Sequence, residues 1–196
     1  WRFIDTPEAL HAALAQCTPR YIFFLHWSEK IPQEIWSRIE CVCFHMTDVP
    51  YGRGGSPLQN LIARGLKETK LSALRMVEEL DAGPVYAKIP LLLAGSAREI
   101  YLEAGRKSLG IARWIATERP EPAPQQGKVV VFKRRAPAES ILPVQAEIPR
   151  IYDHIRMLDA PGYPLAFLEH GDFKIEFFNA SLEEEVVRAS VLIHKK

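Results

Sequence analysis

The 196-residue chain carries 25 Lys and Arg against 24 Asp and Glu, a formal net charge of +1. No basic run exceeds Lys133-Arg134-Arg135, which argues against the broad electropositive surface of a nucleic-acid binder and leaves room only for a local patch. A chain of this length buries about 70% of its unfolded surface, which suits one α/β core with a small appendage better than two full domains. No apolar run reaches the ~20 residues of a bilayer crossing, and no signal peptide stands at the start. Cys17, Cys41 and Cys43 form no Cys-x-x-Cys pair, so a reduced, cytoplasmic protein with no membrane partner is expected. Cys41, His154 and His194 do not have metal-ligand spacing, and no metal site is predicted.

In chain order, Trp1 to Ile4 reads as a short extended piece, and Thr6 with Pro7 starts a helix to about Gln16. Tyr21 to Leu25 is an all-apolar run typical of a parallel strand buried on both faces. The loop His26 to Lys30, a short helix over Pro32 to Ile39 and a strand from Cys41 to Phe44 complete a strand, helix, strand unit. His45 therefore stands at a carboxyl strand end, where α/β sheets place their chemistry. A glycine-rich loop, Tyr51 to Ser56, leads to a helix at Pro57. It lacks the Gly-Lys-Ser/Thr ending of a nucleotide-binding P-loop, so its glycines are read as permitting a tight turn.

Thr69 to Val77 and Pro84 to Leu93 read as two strands joined by a turn that presents Asp81. Ser96 with Glu99 makes a capping box, and Ile100, Ala104, Ser108, Ile111, Trp114 and Ile115 give one face of a long helix ending near Glu118. These residues, 1–118, make up the expected core. Arg119 to Gly127 is too rich in proline for a helix and suits an extended linker. Residues 128–196 follow as a small α+β unit: a strand over Lys128 to Phe132, a helix over Ile148 to Leu158, and antiparallel strands at Leu165 to Leu168, Phe173 to Phe178 and Val186 to His194.

The segment from Cys41 through His45 to Gln59, followed by Leu80-Asp81-Ala82-Gly83, resembles the formyltransferase superfamily that includes glycinamide-ribonucleotide and methionyl-tRNA formyltransferases. In that superfamily a strand-end His precedes a Pro/Gly loop, and a later Asp lies in a Leu-Asp-x-Gly turn. The resemblance covers roughly Tyr21 to Ala94. The wording around His45 and the run Ile155 to Pro164 look closest to sugar N-formyltransferases of the pseudaminic-acid-pathway type. It implies a Rossmann-like core with a predominantly parallel sheet, and an N-terminal βα unit ahead of Trp1 that the sequence does not show.

Formyl transfer to an amine needs a neutral nitrogen nucleophile, a stabilised oxyanion and a proton for the departing folate nitrogen. A histidine can donate to the oxyanion or relay a proton, and a carboxylate within reach can help deprotonate the amine. The resemblance gives these roles to His45 and Asp81. It places 10-formyltetrahydrofolate between Glu29, Lys30 and Ile31 on one side and Val77, Glu78, Glu79 and Leu80 on the other. Thr47 and Arg53 are candidates to bind substrate. The superfamily usually has Asn two residues before the His, and here that residue is Cys43, whose thiol is a weak donor. Thr47, His26 or Asn60 could replace the amide, or the activity could be altered or lost.

The function so implied is transfer of a formyl group from 10-formyltetrahydrofolate to an amino sugar, which is expected to be nucleotide-linked. Its partner would be that small molecule, with no nucleic acid, and the C-terminal unit could build a homodimer. Hydrolysis of formyltetrahydrofolate and a non-catalytic folate- or sugar-binding role are the alternatives.

Overall fold

A computed structural model describes residues 1–27 and 29–196. The first regular element is helix α1 (Pro7–Gln16), and the residues before it form no strand. Thr6 opens α1 by accepting the amide of Ala9 at 3.2 Å, which satisfies one of the unpaired donors of the first turn. Strand β1 (Tyr21–Phe24) follows, then α2 (Gln33–Trp36), β2 (Glu40–His45), β3 (Tyr51–Gly54) and α3 (Pro57–Ala63). Helix α2 is shorter than expected over Pro32 to Ile39, and Ile35 is its only buried side chain. The hairpin strands are β4 (Glu68–Arg75) and β5 (Val85–Leu92), followed by the long helix α4 (Ala97–Glu118). Strand β6 (Val130–Phe132), helix α5 (Ile148–Arg156) and strands β7 (Ala166–His170), β8 (Phe173–Glu183) and β9 (Val186–Lys195) complete the chain.

The architecture is mixed α/β, with a core sheet of order β1-β2-β4-β5 and a separate antiparallel sheet β7-β8-β9. β1 and β2 are parallel, as the helical crossover between them requires. Parallel pairing in the core sheet stops there. β4 lies antiparallel to β2, with Ser72 opposite His45, and β5 lies antiparallel to β4 because a turn rather than a helix joins them.

Helix α4 opens with the expected capping box, in which Ser96 Oγ accepts the Glu99 amide and the Glu99 carboxylate accepts the Ser96 amide. It buries Ile100, Ala104, Ser108, Ile111 and Ile115 against the sheet. Trp114, expected on that face, is 40% exposed instead, since the apolar stripe drifts past it toward Ala112 and Ile115. Among the described residues no helix is long and apolar enough to cross a membrane.

One buried cluster joins Val42, Leu58, Leu61, Leu71, Leu91, Ile100 and Ile115 to Phe132, Ile155, Met157, Leu158 and Ala166. Side chains from both sides of the proline-rich stretch therefore share a core, each large aliphatic group contributing roughly 1.5–3 kcal/mol on burial. A smaller cluster of Leu10, Phe24, Ile31, Ile35 and Cys41 fills the other side of β1. Arg156 is also buried. Its Nη1 donates to the carbonyls of Leu93 at 2.7 Å and Gly95 at 2.8 Å, while Nε pairs with Asp153 at 2.6 Å. These bonds tie α5 to the chain between β5 and α4.

Candidate active site

His45 ends β2, and Asp81 sits in the turn between β4 and β5. Their side chains are 9% and 11% exposed, and His45 Nδ1 lies 3.5 Å from Asp81 Oδ2. The other ring nitrogen, Nε2, is 2.7 Å from the carbonyl oxygen of Gly52. Because a carbonyl oxygen only accepts, Nε2 carries a proton and Nδ1 is the atom turned to the carboxylate. Asp81 Oδ2 also accepts the Gly54 amide at 2.9 Å. The carboxylate is thus anchored by backbone while its distance to the imidazole is longer than a made hydrogen bond. A small shift, or a proton or water between them, completes a relay.

The glycine-rich segment does more than turn. As β3 it pairs in parallel with β6, and a Cβ on Gly54 would stand 2.5 Å from the Phe132 carbonyl oxygen. Gly54 also has φ +99°, a backbone state that glycine adopts at low cost. The glycine lets β6 approach while its amide faces Asp81. Thr47 is fully buried and its hydroxyl donates to the Gly52 carbonyl at 3.2 Å, the same oxygen that His45 contacts. Ser72 in turn donates to the Thr47 carbonyl at 2.6 Å. Thr47 thus supports the loop.

The Asp81 turn is held under constraint. Asp81 has φ +54°, a left-handed conformation that costs a non-glycine residue of order 1–3 kcal/mol. Gln125, from the proline-rich stretch, donates through Nε2 to the carbonyls of Asp81 and Gly83, both at 2.8 Å. Its Oε1 accepts from Arg53 Nε at 3.1 Å and Nη2 at 2.9 Å. Arg53 Nη1 pairs with Glu79 at 3.0 Å. Arg53, expected to meet substrate, is therefore engaged on both sides with its side chain 12% exposed. Gln125 was not visible as a site residue in the sequence, because a Gln in a Pro-rich stretch carries no motif.

The remaining candidates are spread around this centre. Glu29 and Lys30 are exposed, whereas Ile31 is buried with Phe24, Ile35 and Cys41. Val77, Glu78, Glu79 and Leu80 are exposed on the turn before Asp81, Leu80 at 71%. Cys43 precedes His45 by two residues and so projects to the same face of β2. Burial pushes its thiol up to about 12, with the Asp81 charge adding to the effect. Of the groups that could stand in for the missing amide, Thr47 is engaged as above. Asn60 Nδ2 is shared among the carbonyls of Gly55, Ser56 and Lys133. The exposed His26 ring lies edge-on to Tyr101, 5.1 Å between centroids.

Residues 137–194 match the family model described as "Methionyl-tRNA formyltransferase, C-terminal domain". A methionyl-tRNA formyltransferase from Clostridium thermocellum has the same fold at TM-score 0.95 and 42% identity, over 98% of this chain and 86% of that one. The chain belongs to the methionyl-tRNA formyltransferase family. A curated methionyl-tRNA formyltransferase of Sinorhizobium medicae is 32% identical over 149 residues, 71% of this chain and 47% of that relative. The chain spans about half the length of the curated relatives it matches. HypX from Aquifex aeolicus, solved in complex with tetrahydrofolic acid, shares the fold at TM-score 0.72 and 21% identity, over 92% of this chain and 32% of that one.

Membership in the methionyl-tRNA formyltransferase family corrects two expectations, the amino-sugar acceptor and the absence of a nucleic-acid partner. Net charge misled for a physical reason: it averages over the whole surface, and the basic run Lys133 to Arg135 is local. Folding pins that run beside the site. Asn60 donates to the Lys133 carbonyl, and Ser56 Oγ accepts the Arg135 amide at 3.1 Å, two residues from Gly54.

Proposed function

We propose that this chain carries the chemistry of formyl transfer from 10-formyltetrahydrofolate to the amino group of methionyl-tRNA. The observation that carries the reading is the His45–Asp81 pair, in which His45 is buried at a carboxyl strand end and the turn residue Asp81 is anchored by the Gly54 amide. It occurs in a chain 42% identical, over 98% of its length, to the Clostridium thermocellum enzyme. In the reaction the neutral α-amine attacks the formyl carbon, forming the new C–N bond. His45 supports the oxygen as it gains negative charge by turning its Nε2–H to it from the Gly52 carbonyl, the electrostatic help that acyl transfer requires. Asp81 takes a proton from the attacking nitrogen, directly or through water. Collapse breaks the bond to the folate nitrogen, which leaves with a proton.

We assign the pterin to the exposed apolar residues Val77 and Leu80 together with the exposed loop residues Glu29 and Lys30. Lys133 and Arg134 are exposed next to the loop that carries Gly54, a placement suited to phosphates of the acceptor RNA. Cys43 replaces the expected amide donor, so the formyl oxygen depends on His45.

The test is formyl transfer measured by mass spectrometry of the aminoacyl group, with methionyl-tRNA, uncharged tRNA and free methionine offered separately. Formylmethionyl-tRNA should form only in the first case, and Asp81→Asn should lower turnover by about two orders of magnitude or more with the fold intact. Folate consumption at the same rate without any amine would replace this reading with hydrolysis. Near-normal turnover of Asp81→Asn would remove Asp81 from the mechanism.

A further inference from the structure

We propose that Gln125 is a positioning residue for the reaction: its side-chain amide, braced by Arg53, holds the Asp81 turn in the left-handed conformation that aims the carboxylate at His45. The inference rests on the catalytic reading of His45 and Asp81 given above. Its geometric basis is that every hydrogen-bonding position of the amide is used. Two N–H groups go to the carbonyls of Asp81 and Gly83, and the oxygen receives two N–H groups of one guanidinium. The arrangement also fixes the orientation of the amide, because exchanging its oxygen and nitrogen would set donors against donors and acceptors against acceptors.

The stretch that delivers Gln125 is itself docked. Ala123 exchanges both backbone hydrogen bonds with Val85, at 2.7 and 2.9 Å, where β5 leaves the turn. On the opposite side, Arg53 reaches Glu79 ahead of Asp81. The turn is thus held before, at and after Asp81. A left-handed non-glycine residue persists only where its surroundings over-determine it, and these bonds do so. Arg53 and Gly54 are consecutive in β3. One residue braces the turn from the side-chain direction while the other gives its amide to the carboxylate. Loosening Gln125 would let the carboxylate swing on the Gly54 bond and change its distance to His45.

Gln125→Glu tests this directly. The carboxylate keeps the size of the side chain and an acceptor for Arg53, but it replaces the NH2 group and its two donors with one oxygen facing two carbonyls. Gln125→Met, similar in size with no donor, serves if the charged variant does not fold, and Gln126→Ala on the exposed neighbour is the control. The first readout is the imidazole NMR titration of His45 in the free protein, which needs no substrate. The second is transfer with methionyl-tRNA. A changed distance from the carboxylate should move the His45 midpoint in the Gln125 variants by about half a unit or more. It should also lower kcat at least about tenfold while KM for the folate stays within about twofold, and Gln126→Ala should match wild type in both. A His45 titration superimposable on wild type in a folded Gln125 variant overturns the proposal. A shifted titration in a protein whose wild type transfers nothing leaves the positioning intact and overturns the catalytic reading instead.

Discussion

Cys43 is where the sequence departs from its superfamily, and the thiol beside His45 raises the question of a formyl-thioester intermediate. The structure argues for direct transfer. A nucleophilic cysteine needs a stabilised thiolate, whereas burial and the Asp81 charge push Cys43 up to about 12, so it stays protonated at any working pH. Cys41 is raised to about 12 as well, by burial alone. Iodoacetamide at pH 8 should therefore label the exposed Cys17 well ahead of Cys41 and Cys43, as read by peptide mass spectrometry. Cys43→Ala should retain at least about a tenth of wild-type turnover, a loss below ~1.4 kcal/mol in barrier terms. A trapped formyl adduct on Cys43, together with a folded but inactive Cys43→Ala, would establish a two-step route.

At the scale of elements, the β4–β5 hairpin matters most, because its turn carries Asp81. Gly83 closes that turn against its own strand, and a Cβ there would sit 1.7 Å from the Arg75 carbonyl oxygen. That oxygen is backbone within the hairpin, and no side-chain rotation relieves the contact. Gly83→Ala should displace the turn and break the Gln125 contacts to Asp81 and Gly83. Turnover should fall by about two orders of magnitude, the scale of losing acid–base assistance. Stability should fall by about 1–3 kcal/mol, as for overpacking, measured by denaturant midpoint. Wild-type turnover in this variant would show that the turn tolerates the shift and that the position of Asp81 is not critical. The two central strands follow the same logic. Ser72 on β4 faces His45 across the sheet and supports the Thr47 carbonyl, so the hairpin also helps hold the loop that receives the imidazole.

Across the whole molecule, Arg156 shows how the two halves of the chain are joined. It is 4% exposed, satisfies the carbonyls of Leu93 and Gly95, and pairs with the partly buried Asp153. Removing it would strand the two carbonyls and leave Asp153 with only the long contact to the exposed Lys67 at 3.8 Å. Arg156→Ala should cost about 3–5 kcal/mol, the range for breaking a buried charge pair. Because residues from β2, α4 and α5 share one core, the loss should appear as one cooperative transition at lower denaturant. A C-terminal half that unfolds separately in this variant, with the core transition unchanged, would show that the two parts are energetically independent.

The sequence by itself determined most of the elements and singled out His45 and Asp81, which the fold brings within 3.5 Å of each other. Local signals sufficed there: the Thr6 and Ser96 caps, the period of α4, the alternation of the C-terminal strands, and a histidine at a strand end ahead of a turn aspartate. The tertiary structure decided what depends on distant segments meeting. It turned the glycine-rich segment into a strand, because β6 comes from more than seventy residues further along the chain to pair with it. It made Gln125 part of the site, and it engaged Arg53 with neighbours that no spacing along the chain predicts. It also set a short basic run beside the loop that carries Gly54, a placement that a net charge of +1 over the whole chain does not show. Periodicity and capping are local, so a sequence displays them, whereas the direction of a side-chain hydrogen bond is fixed only once the chain has closed on itself.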